Sequence, residues 1–480
     1  MLLSRASYYF SYNFLIVFLS SLVFKAFPLH GDERPNFVVI LCDDLGYGDI
    51  SCYGNKIIKT PNIDRLASQG IRFTDYYSPS PVCSPSRVGL LTGRTPNRAG
   101  IYDWIPSGTQ FHLEEKEFTI PKMLKRAGYA TCMSGKWHCN GKFNKKSQPQ
   151  PSDFGFDHWF ATQNNAVPSH RNPKNFVRNG DGVGELEGFS CRIVAEEANR
   201  WIENHVIENP DQPFFTFIAF HEPHEPISSP ESMISNYPNA QKKGEALYYA
   251  NVENMDFAVG MIMDCLNRNK VAENTLVIFT SDNGPETLNR YGGAWRSHGS
   301  PGDLRGMKLH THEAGIRVPG VMRWPLQIKA GQVSDEPVNS LDLMPTFANL
   351  AAGEIPIDIQ LDGTDIVNAF GKDEVIRKRP MFWCYYSALN KSKVALRDGN
   401  WKLLASLKSK NDKYLKIRSL NKSNYDLVKT ARLVDFELYD IGNDNDELLN
   451  LVDKNHDEFK RLSEAMRMMF DEVLKDSKIW

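Results

Sequence analysis

Four apolar runs along the chain end in the same way. "NFVVILCDD" leads into Asp43 and Asp44, and "YATCMSGKWH" ends in Lys136 and His138. "PFFTFIAFHEPHEP" runs from Phe214 to Phe220 before giving His221 and His224, and "NTLVIFTSDNG" runs from Leu276 to Thr280 before Asp282 and Asn283. Continuous rather than alternating apolar runs of this length predict strands buried on both faces, as in a parallel sheet covered by helices. Between them, "TPNIDRLASQG" with Asn62 as N-cap, "FTIPKMLKRAG", "CRIVAEEANRWIENHV" and "ALYYANVENMDFAVGMIMDCLNR" carry helical periodicity. Strand and helix alternate, so the pattern predicts an α/β fold. Taken singly, an Asp pair is a turn former or cap, "SDNG" is a turn, and a lone His is a surface group. Together they load the same chain end of four strands, the edge where open α/β sheets bind ligands.

The pattern changes near Leu361. Short strand candidates "PMFWCYY", "KVALRDGN" and "WKLLAS" precede a lysine-rich stretch, Lys408 to Lys422, expected to be a solvated excursion. "FELYDI" and an amphipathic helix, "DEFKRLSEAMRMMFDEVL", follow, with methionines spaced for packing. Residues 31–365 are therefore read as a catalytic domain and 366–480 as a smaller C-terminal subdomain. At the other end, Arg5 precedes the apolar run Phe14 to Phe24, too short to span a bilayer and suited to a secretory signal. Residues 1–30 are assigned to that signal, with an uncleaved anchor as the alternative. Either reading places the body of the protein outside the cytoplasm, in a periplasmic, secreted or other exported setting, and the signal reading expects no stable membrane insertion.

A formal net charge of −2 supplies no basic field for nucleic acid, so an anionic substrate must be captured by a local cluster. Such a cluster is present. Asp43, Asp44, Asp282 and Asn283 offer only oxygen ligands, which suits Ca²⁺ or Mg²⁺. Arg87, Lys136, Lys308 and the histidines add positive charge, a combination built for a phosphate or sulfate ester. The 8 cysteines contain no CxxC pair and allow at most a bridge or two. Cys83 opens "CSPSRVGLLTGR", a helix with Pro85 in its first turn and Gly93 as its stop. Near the positive end of the helix dipole, it is a candidate nucleophile or a buried inert thiol.

Cys83, Pro85 and Arg87 match C-x-P-x-R. With "CDDLGYGD", "TPNIDRLASQGIRFTDYY", "SGKWH", "HEPHEP", "FTSDNG" and "GMKLHTHEAGIRVP" in order, the chain resembles the formylglycine-dependent sulfatases of the alkaline phosphatase superfamily over residues 35 to 350. The resemblance implies a large, mixed, mostly parallel sheet flanked by helices, with a C-terminal α+β subdomain carrying an antiparallel sheet. It implies that a formylglycine-generating maturation enzyme converts Cys83 into Cα-formylglycine, whose hydrate attacks sulfur to give a covalent sulfo-enzyme. One Ca²⁺, in preference to Mg²⁺, is then held by Asp43, Asp44, Asp282, Asn283 and an oxygen of the modified Cys83. Arg87 steadies the hydrate, and Lys136 and Lys308 neutralise the sulfate oxygens. His224 protonates the leaving alcohol with help from Lys308, and His138 draws off the second hydroxyl proton. His221 is left between a supporting and a structural role. The expected substrate is a sulfated carbohydrate or aryl sulfate. Tyr102, Trp104, Trp295, Arg296 and His298 are candidate glycan contacts, with loop packing or a solvated charge as the alternative for each. A phosphodiesterase or phosphonate monoester hydrolase of the same superfamily can share the C-x-P-x-R nucleophile and is the nearest rival. A non-catalytic receptor for sulfated glycans is a remote one, because it should have lost a ligand or the nucleophile and this sequence keeps each expected position.

Overall fold

Asn36–Asp43 is apolar on both sides because it has a core on each. Phe37, Val39 and Leu41 belong to one buried cluster, and Val38, Ile40 and Cys42 to another. The computed structural model describes residues 34–480 apart from positions 288, 372 and 373, so the expected signal segment lies outside the described residues. Around the central strand, Thr275–Ser281, Asn36–Asp43, Phe214–Pro223, Ala130–Lys136 and His158–Thr162 lie side by side in that order, all parallel. Gly320–Arg323 adds antiparallel beyond Thr275–Ser281, followed by Ile71–Phe73 and Gln332–Ser334. At the far edge Val177–Arg178 and Asp181–Gly182 form a hairpin, completing a mixed sheet of 10 strands.

Helices cover both faces. Pro61–Ser68, Ser190–Glu208 and Glu245–Arg268 bury Ile63, Leu66, Val194, Ile202, Val252 and Met255 in one layer. Cys83–Thr92, Ile120–Arg126 and Leu343–Ala351 bury Val88, Leu91, Met123, Leu124, Leu343 and Phe347 in the other. Asn62 does not cap the first of these helices. Thr60 is the N-cap residue, and the amides of Asn62 and Ile63 donate to the Asp256 carboxylate at 3.2 and 2.8 Å. The orphan donors of the first turn are thus satisfied from another helix. Gly93 does end the Cys83 helix, at φ 66°. Among the described residues no helix is long and apolar enough to cross a membrane.

Met381–Cys384, Val394–Asp398, Trp401–Lys408 and Arg432–Asp440 form a separate antiparallel sheet of 4 strands, packed on helix His456–Asp476. Met466 and Met469 are buried in that contact, as packing residues should be, while Met468 points to solvent. The lysine-rich stretch is tethered rather than simply solvated, because Leu415 and Leu420 enter the same core. None of the 8 cysteines is disulfide-bonded.

Buried charge ties the second sheet to the segments around Asp75 and Glu313. Lys402 Nζ lies 2.7 Å from Glu313 Oε1 and 2.9 Å from Glu447 Oε1, and all three side chains are 0% exposed. The Tyr77 hydroxyl donates to Glu313 Oε2 at 2.6 Å, and Arg397 reaches Asp75 at 2.6 Å. Removing one member of a buried ion pair strands the others' charge at a cost of about 3–5 kcal/mol. Lys402→Met should therefore lower the unfolding free energy by about that much in a urea titration at neutral pH. A loss below about 1 kcal/mol, the scale of a surface pair, would contradict this role.

Candidate functional site

The sheet delivers its polar ends to one place. Asp43 closes the central strand, Lys136 closes a strand two places away, and Asp282 with Asn283 follows Ser281 on the neighbour. His224 follows Pro223 at the end of the strand between. Lys136 depends on Gly135, which sits at φ 113° so close to the next strand that a Cβ would overlap the Ala219 carbonyl. Lys308 arrives from a loop whose amides are pinned outside it: Lys308 N donates to Pro285 O at 2.9 Å and Leu309 N to Pro81 O at 2.8 Å. Asp44, His138 and Leu309 all take left-handed backbone, φ 64°, 53° and 67°. For leucine that conformation is strained, and it falls where a site must over-determine its geometry.

The side chains interlock. Arg87 donates through Nε to Asp282 Oδ2 at 2.9 Å and through Nη1 to the Lys136 carbonyl at 2.8 Å. Lys136 Nζ meets Asp43 Oδ2 at 2.6 Å, and Lys308 Nζ meets both oxygens of Asp44 at 2.6 and 2.7 Å. Asn283 Nδ2 donates to Asp44 Oδ1 at 2.8 Å, and the Asp44 amide to Asp282 Oδ1 at 3.3 Å. Three carboxylates and three cations are thereby buried together. Asp43 Oδ1 and Asn283 Oδ1 are buried with no hydrogen-bond partner. Unpaired buried oxygens are costly, and hard oxygen donors without partners fit a Ca²⁺-type ion. Ligand atoms of Asp43, Asp44 and His224 all lie within 4.8 Å of one another. His224 thus stands beside the carboxylates, 3.6 Å from Asp44 Oδ2, a closeness its sequence position did not reveal.

Burial resists ionisation of Asp43, but Lys136, His224, Arg87 and Lys308 outweigh it and hold the carboxyl well below its usual range. Burial and the Asp43 charge push Asp282 up to about 7 against the pull of Arg87. Burial also lowers His224 to about 4, reinforced by Lys308 and opposed by Asp44 and Asp43. Its Nδ1 lies 2.6 Å from the Glu225 carbonyl, so the neutral ring donates there and turns Nε2 toward Asp44. Burial holds His138 neutral too, with Lys136 and Arg87 adding to the effect. Its Nε2 donates to Ile105 O at 3.1 Å, while Nδ1 is buried and unpartnered. Burial would lower Lys308, but Asp44 and then Cys83 raise it above the usual lysine value.

Cys83 begins its helix within this group of charges. The helix-dipole argument favours an ionised thiol, yet burial pushes its pKa up to about 11 despite Lys136 and Lys308. At neutral pH the thiol keeps its proton and is a poor nucleophile.

The remaining candidates divide. His221 is held by Thr162 Oγ1 at 2.8 Å, behind the Lys136 strand. Tyr102 is buried against Tyr386 and bonds the Lys478 carbonyl, so it is packing rather than a glycan contact. Arg296 is spent on Glu225, Nε to Oε1 3.1 Å, and Trp295 lies against Arg296 and Lys243. Trp104 remains exposed. His298 Nε2 sits 3.1 Å from the Trp295 carbonyl. Sequence reasoning missed Tyr385, whose ring packs with Val82 and Cys83. It comes from the C-terminal subdomain, where no motif marks it. It also missed Tyr291, close enough to Lys308 and Asp44 for their charges to act on it. That residue lies in the Gly-rich loop after Asn283, and its aromatic ring beside Arg290 was the one signal that could have found it.

The Sulfatase family profile matches residues 35–354, and the C-terminal profile of N-sulphoglucosamine sulphohydrolase matches residues 307–476. Human arylsulfatase A is 35% identical over 392 residues, covering 77% of this chain and 74% of its own. Human N-acetylgalactosamine-6-sulfatase is 32% identical over 372 residues, covering 73% and 68%. Among solved structures, Ps i-CgsB, crystallised with k-i-k-neocarrahexaose, superposes with TM-score 0.77 at 29% identity, covering 93% of this chain and 94% of its own. The protein is an enzyme of the sulfatase type, and the chain belongs to the sulfatase family.

Proposed function

We propose that this enzyme hydrolyses a sulfate ester carried on a carbohydrate, using a formylglycine made from Cys83. The observation that carries the reading is the packing of Asp43, Asp44 and Asp282 against Arg87, Lys136 and Lys308 beside Cys83. The protein charges there balance before any ligand binds. A divalent cation held by Asp43, Asp44, Asp282 and Asn283 adds positive charge that an anionic ester can meet. The raised pKa of the thiol supports conversion over direct attack. Carbohydrate is favoured by the relatives: an N-acetylgalactosamine-6-sulfatase and a structure holding a neocarrahexaose. The apolar N-terminal run supports export.

The hydrated formylglycine supplies a hydroxyl nucleophile, and the cation supplies charge neutralisation for it and for the ester. Everything else falls to the side chains of the cluster. Lys136 and Lys308 turn from Asp43 and Asp44 toward the sulfuryl oxygens, where charge grows in the transition state. Arg87 keeps Asp282 in place by its paired contacts. His138 offers its unpartnered Nδ1 to a hydroxyl proton, with Ile105 fixing the opposite nitrogen. The leaving oxygen takes its proton from the His224–Lys308 pair. His224 is neutral here, and an arriving anion raises its pKa toward the range where it can donate.

Three outcomes check this. Cys83→Ala should abolish sulfate release while melting at the wild-type temperature, and mass spectrometry of the tryptic peptide Phe73 to Arg87 should find an aldehyde in active protein. An unmodified thiol in fully active enzyme defeats the mechanism. Removing divalent cations with a chelator should lower the melting temperature by several degrees, with recovery on adding Ca²⁺. Asp44→Asn should shrink that shift, and a chelator-insensitive wild type sinks the cation site. Finally, His224→Ala should slow release from a sugar sulfate by about 10²–10⁴-fold and from 4-nitrophenyl sulfate much less, because a good leaving group needs no acid. Equal losses on both would remove His224 from the acid role.

A further inference from the structure

A cavity of about 130 Å³ opens beside the catalytic group, and the mechanism above makes no use of it. Asp103, Trp104, Ile105 and Pro106 line it from the loop after the Cys83 helix, and Arg418 and Ser419 from the C-terminal subdomain. Ile105 is a wall common to both spaces. Its carbonyl takes the His138 Nε2 proton at 3.1 Å, and its amide donates to Oγ of Ser84, the neighbour of Cys83, at 3.0 Å. Tyr385 makes a second link: its ring packs on Val82 and Cys83, and its hydroxyl donates to Asp103 Oδ1 at 3.0 Å. A ligand anchored at the catalytic group therefore has this cleft beside it.

The lining is mostly aromatic and apolar, with Asp103 and Arg418 as its charged groups, and the Asp103 carboxyl is engaged by the Tyr385 hydroxyl. Trp104 is 41% exposed, a large aromatic face left in water against the hydrophobic effect. Arg87, Arg290 and Arg296 are each paired with a carboxylate. Arg418 is exposed and, among the described residues, forms no direct ion pair, although its charge reaches Asp103 on the same lining. Its guanidinium suits a carboxylate or sulfate, which it can take with two parallel hydrogen bonds. An indole face beside a cation accommodates the apolar face of a pyranose that carries a negative group. The cavity is too small for a whole sugar and takes an edge of one, with the ring resting on Trp104.

We propose that this cleft is a subsite for the sugar adjoining the sulfated one, and that it selects a pyranose bearing an anionic substituent. This rests on the carbohydrate sulfatase reading above and adds the substrate's second ring. The anion can be a uronate carboxylate or a second sulfate, and the test separates them. Sulfate release is measured from N-acetylgalactosamine 6-sulfate and from the same sugar linked to glucuronate. A second pair is galactose 4-sulfate and a carrageenan-type disaccharide with a further sulfate on its other ring.

Wild-type enzyme should turn over at least one disaccharide with kcat/KM roughly tenfold or more above its monosaccharide, and the favoured pair names the anion. In Arg418→Gln and in Trp104→Ala that advantage should fall to about twofold or less, through KM rather than kcat. Both residues are on the surface, so folding is not at stake. The ratio between paired substrates also cancels any loss of active protein. Activity on 4-nitrophenyl sulfate without a disaccharide preference, or a preference that survives both substitutions, overturns the subsite and leaves the sulfatase reading standing. Failure of wild-type, formylglycine-bearing enzyme to release sulfate from any probe, 4-nitrophenyl sulfate included, removes both.

Discussion

Three carboxylates stand within one buried space, and the rest of the site is arranged around the cost of keeping them there. Asp43, Asp44 and Asp282 repel one another where water is excluded, so each must find a cation or give up its charge. The division is visible: Asp43 is held strongly acidic by Lys136 and its companions, while Asp282, facing Asp43, is pushed up to about 7 even against Arg87. Such a group is stable only if every positive partner arrives in register. This explains why each partner comes from a different, rigid element: a strand end, a helix, a pinned loop. A shift of one residue in the Lys136 strand would reverse its side chains and leave Asp43 uncompensated.

The same constraint reaches the small sheet. Lys308 is borne on a loop that supports itself poorly, with Leu309 forced to a positive φ and Lys308 bonded outside through Pro285. The loop is held at its far end by Glu313, which Lys402 and Tyr77 grip, and beside it by Leu389 N donating to Leu309 O at 2.9 Å. The C-terminal subdomain is therefore part of what fixes the lysine that pairs with Asp44. It also supplies Tyr385, packed against Cys83, and Arg418, in the wall of the neighbouring cleft. The Lys402 cluster and the Lys308 loop thus share Glu313 and its neighbours as supports.

The sequence made the strand ends legible because their pattern is local. An apolar run followed by Asp-Asp, or by Asp-Asn, states both the buried strand and its polar terminus within ten letters, and the sheet topology did the assembly. Helix Cys83–Thr92 was readable for the same reason, from Pro85 in the first turn to Gly93 at the stop. What could not be read were relations between distant segments. Asp256 capping the Pro61 helix in place of Asn62 joins residues nearly two hundred positions apart, and nothing near either one announces it. Tyr385 beside Cys83 is of the same kind. Tyr102 and Trp104, two residues apart in one loop, looked equivalent. Only the fold decides that the first is core and the second is wet.

Cys83 shows where a local electrostatic rule gives way to the stronger influence of burial. A helix N-terminus and two nearby lysines each favour a thiolate, by an amount that a buried environment easily exceeds. The lysines are moreover already engaged with Asp43 and Asp44, so their field at sulfur is partly cancelled. A site meant to run on a thiolate would spare a cation for it. This one commits its cations to carboxylates and leaves the thiol protonated, which agrees with the proposed hydroxyl nucleophile better than with a thiolate. On the proposed reading the reactive atom is set by modification of the residue, so the cations need not hold a thiolate.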